Sequence, residues 1–508
     1  MDTSCYTCRR RRVACQMAQP PCRKCTQAGL QCTKTRPFRW VQDAAFRTTA
    51  RRDTPAKKMP THDVVAVGNH QKSRLAARGV MEYQLQHWPI ARLDEPSLTR
   101  FNSTTRYYID YYSRCVCKLF VMYDSVENPL RKVTGAALHN PLLLSSIIAL
   151  SARHLANARL PVLQPGEASP SRTWCSTDHT ALLFKHKTLK GLSDAVQDPK
   201  LRMMDTTVAS ALLLLFLNLL ESGRDDWNTH LEGMKSIMSQ LEVPLERKGT
   251  SSQGLGLCVT GLRDFVVRQI YVIEVLGATY TDPKMLLSPS TSPPTATKLL
   301  QEKLEHSYLG CPGYILHALG VFSSCRDFLV SPGRKSERDL EANIERACSM
   351  LTCTEKFDSR AWAAALPQMS SAPMHVDELA ILSEVYKIGA QIFGRRVIDA
   401  LVGDTTVQNK DHLVHRLVGL IRELRRNDNL FKCILWPMVI ASLECCQIEQ
   451  KEFLTGCLQR FWLETRCLNV MNAEAILRKR WQQEEREGSA PSQWIFKIGR
   501  LGGDWLLI

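Results

Sequence analysis

Residues 5–32 begin Cys5-Tyr6-Thr7-Cys8 and continue Arg9-Arg10-Arg11-Arg12-Val13-Ala14-Cys15. A loop from Gln16 to Pro21 leads to Cys22-Arg23-Lys24-Cys25, and Cys32 closes the stretch. The spacing is C-x2-C-x6-C-x6-C-x2-C-x6-C, one half-pattern written twice. A C-x2-C pair places two thiolates on one ion, and tetrahedral zinc takes four ligands. Two separate sites would need eight sulfurs, and the stretch holds six. If two of the six each bridge both ions, six thiolates fill eight coordination positions. The repeat therefore predicts a two-zinc cluster of Cys5, Cys8, Cys15, Cys22, Cys25 and Cys32 with pseudo-twofold symmetry. Two short helices are expected around the metals, one beside each Cys pair.

The charge around such a cluster is cationic. Two zincs and six thiolates carry −2 together, and the ions' own charge belongs in the count. Arg9, Arg10, Arg11, Arg12, Arg23 and Lys24 against Asp2 leave residues 1–32 at +3. Helices starting at the Cys pairs would aim these side chains outward, which suits phosphates and guanine edges.

These residues resemble the fungal Zn2Cys6 binuclear-cluster DNA-binding domain, in which a basic run and a proline-bearing loop separate the cysteines in the same way. Here the run is Arg9–Arg12, and the loop carries Pro20 and Pro21. The resemblance implies that Cys5 and Cys22 bridge the metals. It also implies that Arg11 and Arg12 read a CGG-type triplet in the major groove of double-stranded DNA. Arg12 stands where lysine is more usual, and Ala14 where a further basic residue is common. A zinc adaptor that binds protein without reading DNA is the competing class.

A disulfide framework is not expected, because no apolar signal segment precedes the four arginines. The whole chain carries 66 Lys+Arg against 50 Asp+Glu, a net charge of +16 over 508 residues. Residues 1–60 hold 14 of those basic side chains against three aspartates, so the basic character belongs to this arm. The other 13 of the 19 cysteines are scattered from Cys115 to Cys467 without a second metal spacing. Buried thiols behave as small hydrophobes, so core filling in a reducing nucleus or cytosol is expected, for Cys115/Cys117 and Cys445-Cys446 included. The most apolar run, Val208–Leu220, is too short to span a bilayer and reads as a buried helix.

Residues 34–100 read as a basic linker punctuated by Pro37, Pro55 and Pro60, with no heptad series. Arg51-Arg52 and Lys57-Lys58 within it are equally nuclear-import signals or solvated charges. From residue 101 to 508 the apolar period is helical and strand alternation is nearly absent, which predicts a large all-α domain. Helices are expected at 106–123, 142–156, 180–196, 205–220, 227–237, 262–276, 314–329, 337–354, 376–401, 412–426, 430–448, 452–468 and 473–485. Ser288–Pro294 reads as a surface loop. Asn140-Pro141 is a cap-plus-first-turn signature, and Asp226 is a candidate cap.

This region resembles the fungal-specific transcription factor regulatory domain. The resemblance rests on residues 140–157, 182–192, 212–223, 226–238 and 434–446. It implies a nuclear regulator of RNA polymerase II genes, often a catabolic or secondary-metabolite set. Its partners would be DNA, the transcription machinery or coactivators, and a second copy through the helical domain; no membrane partner is expected.

No constellation recommends an enzyme. Gly254, Gly256 and Gly261 have the wrong spacing for a dinucleotide loop. His412 and His415 share a helix face without a third ligand, and Trp227 and His230 read as core and helix-surface residues. The apolar tail, Trp494-Ile495-Phe496 and Trp505–Ile508, follows acidic residues. Docking onto the helical domain is the preferred expectation for it, and recruitment of a coactivator the alternative.

Overall fold

The structure, a computed structural model, describes Cys5, Thr7, Cys8, Arg11, 13–15, 21–30 and Cys32. Beyond these it describes 98–160, 175–224, 227–241, 262–281, 307–331, 336–366, 375–403, 411–487, 494–497 and 505–508. The chain divides into two units, Met1–Arg52 and Asp53–Ile508. The first contains one described helix, α1 (Arg23–Gln27); the second is helical throughout its described residues, with a single isolated bridge between Arg224 and Trp505. The linker expected at 34–100 lies, but for its last three residues, outside the described residues, as do the basic pairs within it, the Gly254–Gly261 stretch and the Ser288–Pro294 loop.

Capping chemistry sets the helix starts. Asn140 accepts a hydrogen bond from the Leu143 N–H (2.9 Å), and Pro141 opens α4 (Pro141–Ala158) where no donor is needed. The same signature recurs at Asn128-Pro129, which opens α3 (Pro129–Ala137). It recurs again at Asp198-Pro199, which opens α6 (Pro199–Arg202). Asn102 caps α2 (Ser103–Tyr111) through the Thr105 N–H at 2.8 Å. α5 (Ser176–Gln197) lies across α4, and α7 (Asp205–Glu221) lies behind it. From Thr207 to Leu220 every residue of α7 is buried, as its apolar run required. No described helix is long and apolar enough to cross a membrane.

α8 (Trp227–Leu241), α9 (Leu262–Ala278) and α10 (Gly313–Val330) continue the core toward α11 (Glu337–Lys356) and α12 (Ser359–Ala365). The longest helix, α13 (Val376–Val402), collects α10, α11, α12, α14 (Asp411–Leu424) and α16 (Leu435–Glu444) around it. Two glycines permit that approach. A Cβ on Gly394 would stand 2.5 Å from the Phe322 ring of α10, and one on Gly389 would stand 2.7 Å from the Trp436 ring of α16. Both neighbours are fully buried, so neither ring can step aside. Gly394→Ala is therefore expected to destabilise the protein by about 1–3 kcal/mol, read as a lower urea midpoint at unchanged m-value.

The structure corrects three expected elements. The helix expected at 106–123 starts at Ser103 and leaves α geometry after Tyr111, passing through a π-helical turn (Tyr112–Val116) and a 3₁₀ turn (Cys117–Phe120). The helix expected at 430–448 is two helices, α15 (Asp428–Phe431) and α16. Pro437 is the cause: a continuous helix would demand an N–H at 437 and drive the ring into the Cys433 carbonyl. With the helix restarted at Leu435, Pro437 sits in a first turn, and the Cys433 carbonyl accepts from the Tyr386 hydroxyl at 2.6 Å. The helix expected at 452–468 spans α17 (Ile448–Thr465) and stops at Arg466, whose φ of 54° is left-handed. α18 (Leu468–Glu487) follows at once.

The tail folds back. Trp494, Ile495 and Trp505–Ile508 are buried, and α19 (Trp494–Lys497) packs on α13. Trp494 Nε1 donates to Glu444 Oε1 (2.5 Å), whose carboxylate also receives Arg396. The Leu506 N–H donates to the Gly223 carbonyl (2.7 Å), and Asn469 Nδ2 donates to the carbonyls of Leu506 and Ile508. Arg326, fully buried, spans the carbonyls of Ala278 (2.8 Å), Thr279 (3.1 Å) and Ile495 (3.4 Å) and meets Asp327 beside it. The docked tail matches the preferred expectation. Other ties join distant segments. Lys432 Nζ donates to the Lys118 carbonyl across 314 residues, and Asn157 Nδ2 to the Arg466 carbonyl across 309.

Candidate metal centre and nucleic-acid interface

Among the described residues of the N-terminal unit, the core is made of sulfurs. Cys5, Cys8, Cys22 and Cys25 are buried and pack against each other, with Val13, Cys15 and Cys32 partly buried around them. Local backbone bonds place them. In the second half the Thr26 N–H donates to the Cys22 carbonyl (3.1 Å), closing the first turn of α1. α1 stops at Gln27, and Gly29 just past its cap, with a φ of 62°, turns the chain back toward Cys32. In the first half the Arg11 N–H donates to the Thr7 carbonyl (3.2 Å), again a helical turn.

Two hydrogen bonds of the first half recur in the second at an offset of 17 residues. The Val13 N–H meets the Cys8 carbonyl and the Leu30 N–H the Cys25 carbonyl, at 3.2 and 2.9 Å. The Cys5 N–H donates to Cys15 Sγ and the Cys22 N–H to Cys32 Sγ, both at 3.3 Å. The pseudo-twofold symmetry expected from the spacing is thus present in the hydrogen bonds.

The sulfurs form two groups of four, Cys5, Cys8, Cys15, Cys22 and Cys5, Cys22, Cys25, Cys32, with the ligand atoms of each group within 4.8 Å of one another. Cys5 and Cys22 belong to both. Within the groups the S···S separations are 3.7 Å for Cys5–Cys22 and Cys5–Cys25 and 3.6 Å for Cys8–Cys22. Tetrahedral zinc with bonds of about 2.3 Å separates its sulfurs by about 3.8 Å. The residues present fit the ion, and all six are free thiols without a disulfide.

The two shared sulfurs are also those whose thiolate is favoured. The N–H of Cys25 holds Cys22 down to about 6, and the N–H of Cys8 (3.3 Å from Sγ) lowers Cys5. Burial pushes the Cys8 thiol up, and the Cys25 thiol up to about 12.

Arg11, Arg23 and Lys24 are exposed beside this buried centre. Arg9, Arg10 and Arg12 lie outside the described residues. The other sites raised by the sequence do not assemble. His412 and His415 are exposed, and among the described residues the only groups of His, Cys, Asp and Glu able to hold an ion are the two cysteine sets. Trp227 is fully buried, and so, against expectation, is most of His230, whose pKa burial drives to about 3. Cys117 and Cys445 are buried and donate to nearby carbonyls, Ser113 at 3.1 Å and Ser442 at 3.4 Å.

The fungal specific transcription factor domain matches residues 106–508, most of the chain. The chain belongs to this family. The fungal Zn(2)-Cys(6) binuclear cluster domain matches residues 3–41, over the sulfur centre. The chain is also 22% identical over 432 residues to the acriflavine sensitivity control protein acr-2 of Neurospora crassa, covering 82% of this chain and 69% of that one. No solved structure matches. Family and geometry agree: this is a DNA-binding transcription regulator of the Zn2Cys6 class, its cofactor is zinc, two ions per cluster, and its large domain is all-α.

Proposed function

We propose that the protein is a nuclear, sequence-specific regulator of RNA polymerase II genes that reads CGG-like triplets. Cys5, Cys8, Cys15, Cys22, Cys25 and Cys32 would hold the two zincs, with Cys5 and Cys22 as the bridging pair. The observation carrying this reading is that these two sulfurs alone are common to both four-sulfur groups. Zinc supplies the fold of a unit whose core, among the described residues, is made of sulfurs. Arg11 and Arg12 contact guanine O6 and N7, and Arg9, Arg10, Arg23 and Lys24 hold phosphates. The exposure of Arg11, Arg23 and Lys24 beside a buried cluster supports their availability to DNA.

A cluster that touches about three base pairs cannot select a site in a genome. The helical domain therefore supplies the second contact by pairing two chains, which raises the effective concentration of the second cluster. It also contacts the transcription machinery.

Duplex titrations test the reading. Arg11→Ala and Arg12→Ala are each expected to cost about 1–3 kcal/mol on a CGG-bearing duplex and to erase the preference for one guanine. Arg23→Ala or Lys24→Ala should weaken all duplexes alike and lower the salt slope by about one. Equal loss on every sequence for all four variants would favour the adaptor alternative.

A further inference from the structure

Two irregular stretches of backbone come together on α4. One is the π-helical turn Tyr112–Val116, which continues from Tyr111 at the end of α2 and packs on α4. Such turns depart from regular helix geometry and concentrate at functional sites. The other is Arg466, the one described residue other than glycine with a positive φ, 54°. Glycine normally takes a left-handed helix end because a Cβ is strained there. An arginine held in that conformation points to a role for its side chain. α4 joins the two stretches. The Tyr111 hydroxyl and His154 Nδ1 lie 2.8 Å apart, and Asn157 Nδ2, one turn on, donates to the Arg466 carbonyl at 2.9 Å.

The side chains brought to this joint leave positive charge uncompensated. Arg466 is half-buried, and its guanidinium overlies the Trp462 ring at 5.5 Å with no carboxylate partner among the described residues. Lys118 is half-buried and equally without one, and its carbonyl receives a third cation, Lys432, at 2.8 Å. Arg159, exposed, meets only the Thr177 hydroxyl, at 3.4 Å. The nearby carboxylates are engaged: Asp110 by Arg114, Asp124 by Arg131, and Glu464 by Arg460 at 2.6 Å. Glu449 and Glu452 stand at the far end of α17, about 20 Å away along its axis. Burial lowers the His154 pKa to about 3, and Arg466 and Lys118 push it the same way. The imidazole is therefore neutral and adds no charge of its own. On the outer side Tyr107 is exposed, its ring stacked toward Tyr111 with centroids 6.2 Å apart.

We propose that this joint is a binding site for a small organic anion. Its phosphate or carboxylate group is held by Arg466 and Lys118, with Arg159 at the rim, and its body rests on the exposed ring of Tyr107. Arginine suits the planar, two-oxygen edge of either acid group, and lysine adds a point charge. Half-buried cations are within reach of a small acid, whereas a rigid duplex meets fully exposed side chains such as Arg23 and Lys24. Bound there, the anion ties the π turn near the start of the helical unit to the turn between α17 and α18 near its end.

Equilibrium dialysis of the zinc-loaded full-length protein against radiolabelled orthophosphate, and separately against succinate, at matched ionic strength tests it. Saturable binding is expected for at least one of the two, and the one that binds names the acid group. Lys118→Gln and Arg466→Gln should each weaken it at least about tenfold, the loss expected for one charged hydrogen bond. Arg466→Gly frees the left-handed backbone of its strain while removing the guanidinium. It should bind as poorly as Arg466→Gln yet unfold at the same or a higher temperature, which separates a lost contact from a lost fold. Duplex affinity should be unchanged in Arg466→Gly, so the site and the DNA reading fail separately. No saturable binding of either anion, binding undiminished in Lys118→Gln and Arg466→Gly, or a loss of duplex affinity in its place would each overturn the site.

Discussion

Cys5→Ala and Cys22→Ala are expected to strip both zincs, leaving well under one ion per chain and no duplex binding. Each change reduces both four-sulfur groups to three ligands at once, whereas Cys8→Ala or Cys32→Ala breaks only one group. A structural zinc contributes on the order of 10–16 kcal/mol to the folding of a small module, so losing both leaves nothing to order residues 5–32. Zinc content by atomic emission, with chelator competition, ranks the variants: bridging cysteines worst, the other four intermediate. A wild-type stoichiometry of one zinc, or full metal content after Cys15→Ala, would remove the binuclear assignment. Chelation of the wild type should abolish duplex binding while leaving the helical signal in circular dichroism nearly intact, because the helical domain has a core of its own.

Arg326→Leu should cost the helical domain about 3–5 kcal/mol, the range for taking one member out of a buried charged network. Three backbone carbonyls lose their donor, and two of them, Ala278 and Thr279, lie at the C-terminal end of α9, where a helix has no donors of its own to offer. The third belongs to Ile495, so the tail is loosened in the same step. Urea unfolding of wild type and variant gives the difference directly.

The cluster was legible because chemistry dictates spacing: six cysteines at those intervals fit two tetrahedral ions and little else. The long helices were legible because a buried helix such as α7 is apolar on every side. Boundaries failed where a local rule went unread. Asn128-Pro129 and Asp198-Pro199 carry the same cap signature as Asn140-Pro141 and open short helices that apolar periodicity does not show. Pro437 marked a restart that apolar periodicity alone ran straight through. The roles of Arg326, Asn469 and Glu444 lay beyond any sequence pattern, since each binds backbone or side chains far along the chain. The burial of His230 was hidden too, because a histidine on an amphipathic helix looks alike whether its neighbours are water or protein.

The ties between Lys118 and Lys432, and between Asn157 and Arg466, bear on how the helical domain is made. Contacts across more than 300 residues close only after most of the chain exists, and the loop entropy must be lost before they return any stability. During synthesis α7, with its apolar surface, waits for α18 to cover it. Such a domain folds slowly and leans on chaperones in the interval. It also cannot be trimmed into working parts. A truncation short of residue 494 takes away wall rather than ornament, and a phenotype from such an allele reports a failed fold before it reports a lost regulatory function.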